Sequence, residues 1–233
     1  MNSMEKTRYP LMERPMIAFI LAIAAGSMDG YTYFTAKSFS TVMSGNIILL
    51  GQTLTMRDMT KFSAIALTIL CFGLGSAVTA ILQKKSESRH KTWTFEILLI
   101  EGVILFLLGF TGINQLVGLT FVCMTISFLA GMQGNAFHKI DGMLYGNVAV
   151  TLVVQLAFSY LAQAFFRKEN ALKNSGLFFL VLLGFAFGGF LGTFLTIHWA
   201  EKALWVTAGI LLVVALTIKL IKNEETQEGV DPV

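Results

Sequence analysis

The strongest constraint in this sequence is the gathering of its apolar residues into runs of about twenty. That is the length an α-helix needs to cross the hydrocarbon core of a bilayer. Six runs stand out, at roughly 16–36, 61–83, 95–112, 116–137, 176–197 and 203–221. Of 233 residues only 13% are charged and 55% are hydrophobic, whereas a soluble domain carries about a quarter charged residues. The chain therefore reads as an all-α integral membrane protein. One polytopic domain fills 1–222, with a polar, disordered tail at 223–233. Its first partner is the lipid bilayer. A net charge of +3 without a basic, aromatic-rich face gives no sign of a nucleic-acid partner.

Two further apolar stretches, about 39–55 and 143–165, are interrupted by Ser44-Gly45-Asn46 and by Gly146-Asn147. Whether they cross can be argued from the basic residues. If neither crosses, the N-terminus, Lys84, Lys85, Arg89, Lys91, Lys139, Arg167, Lys168, Lys173 and the C-terminus share one side. Lys37, Arg57, Lys61 and Lys202 lie opposite. That uneven division favours six spans with both termini in the cytoplasm, because cytoplasmic loops collect Lys and Arg.

The halves match in order. The 16–36 run answers to 116–137, the first Gly-Asn stretch to the second, 61–83 to 176–197, and 95–112 to 203–221. The third pair shares a glycine signature, CFGLGSA at 71–77 and FAFGGFLG at 185–192. Three spans per half predict an inverted 3+3 repeat, with pseudo-repeats 16–112 and 116–221. Secondary transporters of that architecture place their sites near the midplane, at interrupted helices in matching positions.

A Gly-Asn step suits a helix start inside the membrane. Both residues tolerate left-handed backbone, and Asn adds an amide donor and acceptor. Ser44, Asn46, Gln133, Asn135 and Asn147 are accordingly the candidate substrate ligands. A competing reading makes Asn46 and Asn147 interhelical hydrogen-bonding residues. Asp29 and Glu101 lie inside apolar runs, where a carboxylate needs a partner, water or a proton. They are the candidates for proton or ion coupling, against competing readings of Asp29 as an interfacial residue solvated by headgroups and Glu101 as an internal salt-bridge partner. Gly26, Gly30, Gly45, Gly146 and Gly188 are helix-break or packing positions, and Ala18, Ala22, Gly26 and Gly30 form a small-residue stripe.

No phosphate-cradling loop, HExxH, GxSxG or Cys/His cluster is present, so no enzyme activity, cofactor or metal is expected. Cys71 and Cys123 read as buried packing thiols, and His90 and His198 as loop residues.

The series GSMDGYTY, F-x3-MSGNIILLG, a glycine-rich helix, GMQGNAF and YGNV resembles the YoaK family of bacterial membrane proteins, described as six-span proteins of unknown function. The resemblance covers nearly the whole chain from about Gly26. It implies a location in the bacterial cytoplasmic membrane and supplies no reaction. The resulting expectation is a small-solute permease with a midplane site at the two Gly-Asn breaks. The alternative is a non-transporting scaffold, assembly factor or sensor, and a homo-oligomer is left open.

Overall fold

A computed structural model describes residues 9–87, 92–222 and 231, without the side chains of 221 and 222. His90, Arg89, Lys91 and all of the tail except Asp231 lie outside the described residues. The elements in chain order are α1 (Pro15–Ala36), α2 (Met43–Thr55), α3 (Met59–Glu87), α4 (Thr94–Leu108), α5 (Thr111–Val117), α6 (Leu119–Ala136), a hairpin of β1 (Lys139–Ile140) and β2 (Met143–Leu144), α7 (Val150–Phe165), α8 (Ala171–Trp199) and α9 (Ala203–Lys222). One-turn 3-10 segments precede α1 and join α8 to α9.

Among these residues four stretches are long and apolar enough to span a membrane: α1, α3, α6 and the continuous stretch Ala171–Leu220. The last covers 50 residues, far more than one crossing needs. The left-handed break at Ala200 (φ 51°) divides it into α8 and α9. A fifth candidate is the pair α4–α5, which the expected straight run at 95–112 does not foreshadow. The helix stops at Leu108 and turns by 90° into α5. Gly109 lets the Trp205 indole sit where a Cβ would project, and the indole N–H donates to the Phe106 carbonyl at 3.0 Å. Asn114 then donates to the Leu108 carbonyl at 3.0 Å, satisfying a group that the helix end leaves open.

The two Gly-Asn stretches form short helices. α2 has 13 residues and α7 has 16, so at 1.5 Å per residue they extend about 20 and 24 Å. Both fall short of the hydrocarbon thickness of about 30 Å.

The central helices are α1 and α6, with 67% and 56% of their best spanning windows buried, against 22% for α3. The glycine stripes explain the packing. On α1, Gly26 and Gly30 lie against the backbone of Phe185, Gly189 and Thr193 in α8. In return Gly184, Gly188 and Gly192 lie against the carbonyls of Phe19, Ile23 and Ser27. α3 and α6 do the same through Gly75 on Phe128 and Gly131 on Phe72. A Cβ at any of these positions would collide with main chain, which is why small residues are required. The registers agree position by position. One fixed offset carries Ile23, Gly26 and Gly30 of α1 to Phe128, Gly131 and Asn135 of α6. A second carries Phe72, Gly75, Ser76 and Thr79 of α3 to Phe185, Gly188, Gly189 and Gly192 of α8. Where Gly30 touches the Gly189 carbonyl, Asn135 donates to the Ser76 carbonyl at 3.0 Å. Where Gly192 touches Ser27, the Thr79 hydroxyl donates to Met132 at 3.3 Å.

The first helix of each half thus packs on the third helix of the other, as an internal repeat requires. The contacts of α1 with α8, and of α3 with α6, rise together in sequence, so each pair is parallel. α1 and α6 run oppositely: Leu21 lies beside Gln133, and Ser40, just past α1, beside Ser127. Lipid-facing positions remain apolar, as at Ile48, Leu70, Leu74 and Phe190. At the far end Asp231 accepts hydrogen bonds from the Trp93 and Thr94 main-chain N–H groups and from the Thr94 hydroxyl at the start of α4.

Candidate functional site

The chain leaving α1 turns back into the bundle before α2 begins, so Ser38, Ser40 and Thr41 are buried. Buried backbone outside a helix must find partners inside the protein. Asp29 supplies them. Its Oδ1 accepts the N–H groups of Ser40 and Thr41, each at 2.8 Å, and its Oδ2 accepts the Thr41 hydroxyl at 2.5 Å. The Ser40 hydroxyl lies 3.3 Å from Oδ1 and the Thr32 hydroxyl donates to it at 3.3 Å. On the other flank Asn46 makes a two-way clamp on Phe39, accepting its N–H at 2.9 Å and donating to its carbonyl at 2.6 Å. Gly45 leaves room for the Phe39 ring, whose face stacks on Tyr33 at 4.7 Å. The Ser127 hydroxyl of α6 lies 3.1 Å from the Ser40 carbonyl and 2.9 Å from that of Thr68. Ser44 is exposed. The Asp29 carboxylate and the Asn46 amide are therefore engaged within the protein.

The second break differs. Asn147 has no exposed surface, and neither its amide oxygen nor its amide nitrogen makes a hydrogen bond among the described residues. The buried Tyr145 hydroxyl lies beside it and interacts with its amide, in a geometry short of a regular hydrogen bond, so each is the other's polar neighbour. Gln133, fully buried, donates to the Leu21 carbonyl at 3.2 Å while its Oε1 stays unpaired. These groups meet around one junction. Tyr145 packs with Ala18 and Ala22 of α1. Gly134, next to Gln133, receives the side chain of Val148, next to Asn147. The register that equates Gly26 with Gly131 equates Asp29 with Gly134. The carboxylate position of the first half is thus vacated in the second and filled by valine.

An unbonded buried amide forfeits the full cost of desolvation, about 1–3 kcal/mol. Glu101, the other expected coupling group, is fully buried on α4, and both its oxygens lack partners. It stands apart from the Asp29 network, and no described hydrogen bond joins the two carboxyls. Asn135 is half-buried and engaged with Ser76, and Gly146 lies against the Ala149 carbonyl. Among the described residues no group of three or more His, Cys, Asp or Glu could hold a metal. Sequence reasoning did not single out Tyr145, Ser40, Thr41 or Ser127 as site residues. Ser40, Thr41 and Ser127 owe their roles to contacts across long sequence separations, whereas Tyr145 could have been found from its place beside Gly146-Asn147.

Long apolar helices, lipid-facing side chains and a core of paired glycine stripes define a polytopic helical membrane protein. The family described as Protein of unknown function (DUF1275) has a model that matches residues 17–217, and the chain belongs to that family. The resemblance to the YoaK proteins is thereby borne out. No curated protein and no solved structure matches the chain.

Proposed function

We propose that the chain is a small-solute permease of the bacterial cytoplasmic membrane. It has six spans, α1, α3, α4–α5, α6, α8 and α9, in an inverted 3+3 repeat with both termini cytoplasmic. The single observation behind the site is a buried polar set short of full partners, Tyr145 and Asn147 in the stretch before α7 and the Oε1 of Gln133 near the end of α6. The opposite running of α1 and α6, and the basic residues collected at the N-terminal end of α1, support the inverted arrangement. In this reading Asn147, Tyr145 and Gln133 bind the solute through neutral hydrogen bonds, and Glu101, an unpartnered carboxyl in the bundle, carries a coupling proton. Asn46, Asp29 and Ser44 move from ligand or coupling roles to shaping the wall. The reading is non-enzymatic.

The test uses purified protein in proteoliposomes. A panel of polyols, amides and zwitterionic amino acids is screened by ligand-dependent thermal shift, then by uptake and by solid-supported-membrane currents. Asn147→Leu and Gln133→Leu are expected to abolish both the shift and the uptake. Full uptake of an identified solute by both variants would remove the site.

A second reading, a scaffold, assembly factor or sensor, is favoured by the first break, where Asp29 and Asn46 are fully spent on internal hydrogen bonds. It expects no solute to shift the melting of the wild-type protein.

A further inference from the structure

The register that equates α1 with α6 and α3 with α8 also equates two places at opposite ends of the bundle, and they are unequal. Beyond the C-terminal end of α1, between α3 and α6, lies a cleft of about 400 Å3. Asp58 and Thr60 form its exposed rim, with Lys61 half-buried beside them. Ser38, Thr68 and Cys123 lie at its buried end. Thr68 is tied by Ser127 to Ser40, and Ser40 to Asp29, so the cleft ends on the wall of the first break.

The corresponding residues at the other end are Val181 for Thr68, Phe178 for Ile65, Ala18 for Cys123 and Lys173 for Thr60. Instead of a cleft, Val181, Phe178 and Ala18 form a packed cluster with Ile140 and Tyr145, and Lys173 stays exposed beyond it. The cause is local. α6 stops at Ala136, the equivalent of Tyr31, whereas α1 runs on to Ala36. The chain that would prolong α6 folds into the β1–β2 hairpin, which seats Ile140 with no exposed surface. The hairpin is held from outside. Asp141 pairs with Lys173 at 3.4 Å, its N–H donates to the Glu13 carbonyl at 2.9 Å, and the Gly142 N–H donates to Glu13 Oε2 at 3.0 Å. An ion pair with one partner this exposed is easily broken.

We propose that the cleft is the loading site for a net-neutral, hydrogen-bonding solute, and that the hairpin is the plug on the opposite end of the same path. The class of solute follows from the lining: hydroxyls and a thiol on the wall, and one charge of each sign at the rim. In this state the path is open on the face of Lys37 and Lys61 and shut on the face of Glu13 and Lys173. Lifting the hairpin would open the junction of Asn147, Tyr145 and Gln133 to that second face. The inference rests on the permease reading and gives it an entry and an exit.

The experiment is reciprocal cysteine labelling in a Cys71→Ser/Cys123→Ala background, with a membrane-impermeant maleimide applied to right-side-out and inside-out vesicles. Thr68→Cys is expected to label from the cleft face and Val181→Cys from neither. Adding Asp141→Ala and Lys173→Ala should raise Val181→Cys labelling from the hairpin face at least tenfold and lower that of Thr68→Cys. Size-exclusion elution in detergent checks that the variants fold. An amine-to-carboxyl cross-linker joining Lys173 to Asp141 supplies the converse and should hold the Thr68→Cys pattern fixed. Equal labelling at both sites, or Val181→Cys unmoved by removal of the ion pair in a folded variant, overturns the plug. Uptake of a panel solute without reciprocal labelling defeats this inference alone. Reciprocal labelling without uptake of any panel solute defeats the permease reading on which it rests.

Discussion

The two Gly-Asn breaks began as near-copies in sequence and end as opposites in structure. At the first, Asp29 and Asn46 spend their side-chain oxygens and amide on the returning chain. At the second, glycine replaces the carboxylate, Val148 occupies the gap, Asn147 and Tyr145 face each other, and the Gln133 oxygen has no partner among the described residues. A buried polar group that is bonded contributes to holding the fold, whereas one that is not weakens it. The comparison teaches that similar motifs at matching places in two halves can be satisfied in different ways.

The largest effect should come from the scaffold that both breaks share. Gly131→Leu and Gly188→Leu would each drive a side chain into a facing carbonyl. Overpacking against side chains costs about 1–3 kcal/mol, and backbone cannot yield as side chains do. Neither variant should give a monodisperse peak in detergent, and an intact peak from either would break the proposed register. Next comes the first break. Asp29→Ala strands two buried N–H groups and a hydroxyl, and about 3 kcal/mol of stability should be lost in detergent denaturation. Asn46→Ala, which frees the N–H and carbonyl of Phe39, should cost about 2 kcal/mol.

At the second break the expectation reverses. Asn147→Leu removes only the irregular contact with the Tyr145 hydroxyl, so stability should stay within about 1 kcal/mol of wild type. A loss equal to that of Asn46→Ala would erase the contrast between the breaks. The smallest effect is expected at Glu101. Glu101→Gln keeps the shape and forfeits no partner, so melting should shift by less than about 0.5 kcal/mol in equivalent stability. Pre-steady-state currents on solid-supported membranes should nevertheless lose their proton-driven component.

Much of this was readable from residue order. Gly26 and Gly188 sit at four-residue spacing because two helices approach closely there, and the spacing alone marks a packing stripe. The Gly-Asn steps do lie at the starts of the short helices, but not for the expected reason: α2 begins at Met43, before Gly45, α7 at Val150, after Asn147, and none of the four Gly and Asn residues takes left-handed backbone. The bend after Leu108 was not readable, because it depends on Trp205, far along the chain, filling the space beside Gly109. Nor was the fate of Asp29. Its partners are eleven and twelve residues away on a segment that folds back only because α6 and α3 hold it.

Sequence by itself determined that this chain lives in lipid, that it is helical, and that its halves are related, since hydropathy and residue spacing are local and additive. Tertiary structure decided which polar residues are satisfied and which are left wanting. That is a question of what lies within about 3 Å of a buried atom, and in a folded bundle the answer comes from segments that only the fold brings together.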